Sequence, residues 1–63
     1  MNDTEKSQMY TILLSQHDKL GNQISEIKGE SFDLNEEQEK RIHHLKSKQY
    51  EIMQRMQQLM SRL

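Results

Sequence analysis

Two stretches of the chain repeat a stripe position every three or four residues. In the first, Tyr10, Leu13, His17, Leu20, Ile24 and Ile27 follow at spacings of 3, 4, 3, 4 and 3. In the second, Ile42, Leu45, Gln49, Ile52, Met56, Leu59 and Leu63 follow at 3, 4, 3, 4, 3 and 4. A mean period of 3.5 residues is the heptad signature of helices packed along a seam. Tyr10, His17 and Ile24 take the a positions of the first stripe, with Leu13, Leu20 and Ile27 at d. In the second, Ile42, Gln49, Met56 and Leu63 are a, and Leu45, Ile52 and Leu59 are d. A strand would need alternation with period two, and neither stretch has it. The pattern predicts an all-α chain of two amphipathic helices, about 3–28 and about 35–62, with a turn at about 29–34.

Between the stripes lie stop and start signals. Lys28 and Gly29 read as a helix end, with a cation in the last turn and glycine at the left-handed C′ position. Asp33 with Glu36, or Asn35 with Gln38, can form the capping box that opens the second helix, and Asn2 with Glu5 can cap the first. Phe32 and Leu34 are expected to fold over Ile27 and close the turn. Glu36, Glu37 and Glu39 sit where the second macrodipole favours anions, and Arg55 and Arg62 lie toward its other end. Glu36–Lys40, Glu37–Arg41 and Glu51–Arg55 are i,i+4 pairs in the favourable order. Gly21 is the local conflict, costing on the order of 1 kcal/mol against Ala in mid-helix. It reads as a tolerated surface glycine or slight bend, or as a close approach of another helix.

A short turn makes the helices antiparallel neighbours. Folded about residues 32–33, Ile24 meets Ile42, Leu20 meets Leu45, Leu13 meets Ile52 and Tyr10 meets Met56. The two polar stripe members, His17 and Gln49, then face each other as a buried polar pair. Such a pair fixes register at some cost in stability. A histidine there is also a candidate pH switch. Met9, Ile12 and Leu14 flank the first stripe, and Met53 and Met60 the second, all toward the end that holds both termini. One hairpin cannot bury them all. They are the candidate interface, covered either by a second copy in a four-helix bundle or by a target helix of another protein.

Composition narrows the chemistry. The chain has 63 residues, no Cys, no Pro and a net charge of −1. It is at most one small domain, without disulfides or thiolate chemistry. A chain without cysteine suits a reducing compartment, and a cytoplasmic location is expected. No apolar run approaches the roughly 20 residues of a membrane span. Residues 1–8 are polar, and the start is expected not to be a signal peptide. No phosphate loop, nucleophile elbow or zinc-protease motif occurs, so no catalytic, cofactor-binding or metal-binding residue is assigned and no small-molecule substrate is expected. His43 and His44 are adjacent and diverge by about 100° on a helix, which prevents joint chelation. Lys40, Arg41, His43, His44, Lys46 and Lys48 form a basic run, but they spread around the helix and follow three glutamates. The reading is a solvated face, and nucleic-acid binding is disfavoured.

From Ser15 to Met60, the residues His17, Leu20, Ile24, Gly29, Leu45, Lys46, Ile52 and Met56 resemble the YdcH-type family of small bacterial proteins. That family opens its first seam with a His-x-x-Leu element and carries Leu-Lys-Lys on its second helix. Ser47 stands here in place of the second lysine, and Gly21 where an acidic residue is usual. The resemblance implies a helical hairpin. The functional expectation is a non-enzymatic protein–protein interaction module, an adaptor, regulator or inhibitor of host or phage origin. The alternative is a structural or assembly subunit.

Overall fold

In a computed structural model of the protein, residues 2–30 and 32–61 are described. Helix α1 runs Asp3–Glu30 and helix α2 runs Glu36–Ser61. The two pack against each other along their length. The long dimension is 47 Å, close to the roughly 42 Å of a single 28-residue helix at 1.5 Å per residue. An unbroken rod of all 63 residues would be about twice as long. The chain doubles back as an all-α hairpin. Leu63, which the heptad pattern adds to the second stripe, lies outside the described residues, as do Met1, Ser31 and Arg62.

Both helices start on asparagine caps. Asn2 Oδ1 accepts from the Glu5 N–H at 2.8 Å, and the Asn2 carbonyl accepts from the Lys6 N–H at 3.1 Å. At α2 the box is reciprocal. The Gln38 N–H donates to Asn35 Oδ1 at 2.8 Å, and the Asn35 N–H donates to Gln38 Oε1 at 2.9 Å. The Asn35 carbonyl takes the Glu39 N–H at 3.0 Å, so the helix begins after Asn35. Of the two candidate boxes, Asn35 with Gln38 forms the cap.

Two expectations about the turn need correcting. Gly29 is not a left-handed C′ residue. The helix passes through it to Glu30, and no described residue has positive φ. A Cβ at Gly29 would meet nothing within 4 Å. Phe32 does not cover Ile27 but is fully exposed, at 105%. Leu34 takes that role, packing on the cluster of Ile24, Ile27, Ile42 and Leu45 together with Leu20. Leu34 directly precedes the α2 cap, so the cap geometry aims it back at the seam while Phe32 stays at the apex. The cluster is the hairpin's main core and lies at the turn end. Toward the open end Ile52 is buried, but Tyr10, Leu13, Met56 and Leu59 are only half-buried.

Surface charge adds little. Glu36–Lys40 closes at 3.5 Å between exposed side chains, while Glu37–Arg41 and Glu51–Arg55 stay beyond ion-pair distance. Exposed pairs of long side chains gain at most a few tenths of a kcal/mol, so their absence costs little. Arg55 lies more than a turn before the end of α2 at Ser61, which leaves it outside the strongest part of the helix dipole.

Candidate protein interaction surface

The polar layer forms, but by another bond than expected. Gln49 Nε2 donates to the main-chain carbonyl oxygen of His17 at 3.2 Å, not to its imidazole. The His17 ring lies 31% exposed, with Nδ1 4.0 Å from Asp18 Oδ1. The two residues are half-buried rather than buried. A helical carbonyl points toward the residue four ahead, so the amide of Gln49 sits level with Gly21. The same amide nitrogen would lie 3.2 Å from a Cβ placed on Gly21. Gly21 is therefore a close approach: without a side chain over the His17 carbonyl, the second lone pair is open to the other helix. Antiparallel packing sets a-type side chains beside d-type ones, as where Tyr10 and Leu59 line one depression. Because the acceptor is main chain, the link is not made by the imidazole, and the pH-switch reading loses its geometric basis.

The five candidate interface residues are all exposed: Met9 at 43%, Ile12 at 57%, Leu14 at 42%, Met53 at 46% and Met60 at 51%. They do not make one face. In heptad terms Leu14, Met53 and Met60 occupy e positions, which share one flank of an antiparallel hairpin. Met9 is a g residue and Ile12 a c residue, on the other flank of α1. The exposed residue that completes the first flank is Tyr50, at 64%. Tyr50, Met53, Gln57 and Met60 follow at spacings of 3, 4 and 3, a second stripe beside the seam stripe of α2. That spacing was present in the sequence as the signal for Tyr50. At the open end Asp3, Lys6, Ser7, Tyr10, Leu59 and Met60 line a shallow depression. Further along the same flank His17, Asp18, Gly21, Asn22, Ser25 and Gln49 line a polar one.

Other chemistry has little to converge on. Among the described residues no group of three or more His, Asp or Glu side chains is placed to hold a metal ion. The hydroxyls of Thr11 and Ser47 donate to the carbonyls of Ser7 and His43, one turn back, at 2.9 and 3.1 Å. Lys40, Arg41, His43, His44, Lys46 and Lys48 are all exposed and point outward from α2 in different directions. Among the described residues no helix is long and apolar enough to cross a membrane. Comparison with protein-family models, with curated proteins and with solved structures gives no match.

Proposed function

We propose that the chain is a non-enzymatic protein–protein interaction module, an adaptor, regulator or inhibitor that works by taking a helix along the flank of Leu14, Tyr50, Met53 and Met60. One observation carries this reading. A hairpin whose seam is already occupied presents Tyr50, Met53 and Met60 to solvent in a second heptad-spaced stripe, interrupted at Gln57. Exposed apolar surface arranged at helical spacing is what a partner helix buries. Methionine suits such a surface because its unbranched side chain adapts to a partner's contour. The lack of cysteine fits action in a reducing compartment, and we place the module in the cytoplasm.

A photo-crosslinking phenylalanine analogue at position 50, in the full chain expressed in cells, tests this. Adducts are expected from position 50, and they should disappear with Met53→Asp plus Met60→Asp. The same analogue at position 54, on the outer face of α2, should give few. Equal yields from positions 50 and 54, or adducts that survive the double substitution, would remove the flank as the binding surface.

A further inference from the structure

We infer that the occupant of this flank is a second copy of the chain, related by a two-fold axis parallel to the helices, with both turns at the same end. The inference rests on the reading of the flank as the binding surface, and it names the partner. Its first support is area. The hairpin exposes 5308 Å², whereas a compact monomer of 7.6 kDa exposes about 4,300 Å² by surface–mass scaling. The excess, about 1,000 Å², is close to what each partner loses in a standard stable interface, about 800 Å².

The second support is how the flank matches itself. Along it, moving from the open end to the turn, Ser7 stands about level with Met60, Leu14 with Met53, Gly21 with Lys46 and Lys28 with Glu39. The first of these pairs lines a common depression, and the heptad carries the alignment onward. A two-fold axis along the bundle sets α1 of each copy beside α2 of the other at matching levels. Leu14 and Met53 then meet Met53 and Leu14 of the second copy, and Met60 of each copy borders Ser7 of the other. Lys28 faces Glu39 across the interface in both directions, and Asp18 comes within reach of Lys46. Turning one copy end over end would instead set the methionines against Lys28, Glu39 and Lys46. The net charge of −1 per chain leaves almost no self-repulsion to overcome.

The chain has no native cysteine, so a single Phe32→Cys label at the fully exposed apex reports the arrangement cleanly. Sedimentation of the full chain should give twice 7.6 kDa at tens of micromolar. Spin labels at position 32 should lie within about 30 Å of each other, given helix axes about 8–10 Å apart. Met53→Asp should weaken the dimer at least ~10-fold while helicity is retained, since Met53 lies outside the core. A monomer at these concentrations would overturn the second copy as occupant, and the flank reading would then stand or fall by its crosslinks. Label separations beyond the 47 Å long axis would overturn the parallel two-fold. A dimer indifferent to Met53→Asp would overturn the second copy as occupant of this flank, and the flank reading would again stand or fall by its crosslinks.

Discussion

The turn end and the open end of this hairpin are built from the same heptad but in different materials. At the turn, Ile24, Ile27, Ile42 and Leu45 are buried, Leu34 lies over them, and a reciprocal capping box fixes where α2 begins. At the open end the seam uses Tyr10, Leu13, Met56 and Leu59, all half-buried, and its surroundings expose Met9, Ile12, Leu14, Met53 and Met60. Branched isoleucines have few rotamers and lose little entropy on packing, which suits a core that closes on itself. Methionine and tyrosine keep adaptable or amphipathic side chains, which suits a surface finished by a partner. Burial in one chain is therefore a map of self-sufficiency. The turn end buries its apolar residues within the hairpin, and the open end is where the proposed association would add its share.

The largest expected effect tests that contrast. Leu45→Ala should cost about 2–4 kcal/mol, as for other buried leucines. Leu59→Ala, at a half-buried position, should cost roughly 1 kcal/mol or less when measured in the monomer. Thermal or urea unfolding of the two variants in a Met53→Asp background reads the difference. Equal losses would erase the distinction between the ends.

Gly29→Ala comes next, and its sign decides the point. A helical Gly29 with open space beside it should accept Ala with a gain of roughly 0.5–1 kcal/mol. A loss of stability would restore the left-handed C′ conformation. A smaller effect is expected at Gly21, where the added Cβ meets the Gln49 amide at 3.2 Å. Gly21→Ala should gain less than Gly29→Ala. In a Gln49→Ala background the full gain should return, a coupling of about 0.5 kcal/mol in a double-mutant cycle. His17→Leu should leave that coupling intact, because the acceptor is the His17 main chain. Least of all, Phe32→Ser should change stability by less than about 0.5 kcal/mol, since the ring has no cover to lose.

The hairpin was legible because heptad spacing is a period, and a period survives ignorance of everything else. The two stripes specify the seam even though His17 and Gln49 interrupt them. The asparagine caps were legible for a similar reason, since Asn35 and Gln38 carry a spacing with one geometric use. What the sequence hid were choices between nearly equal local options. Gly29 can end a helix or lie within it, and here α1 continues to Glu30. Phe32 and Leu34 compete for one place over Ile27, and the cap at Asn35 gives it to Leu34. Residue identities say that His17 and Gln49 share a seam, but the vertical offset of the helices decides whether ring or carbonyl meets the amide. The candidate surface was half legible. Its residues are the exposed apolar ones, but sorting them onto two flanks needed heptad letters, which join Tyr50 to Met53 and Met60 and separate Met9 and Ile12.

Amide hydrogen exchange, resolved by residue and measured at two protein concentrations above and below the dissociation of the proposed dimer, tests the contrast between the ends most directly. Protection around Ile24, Ile27, Ile42 and Leu45 should be nearly unchanged by dilution, whereas protection around Leu13, Met53 and Met56 should fall by a factor of ten or more, ~1.4 kcal/mol. Protection that falls equally at both ends, or that is highest at the open end in the dilute sample, would contradict it.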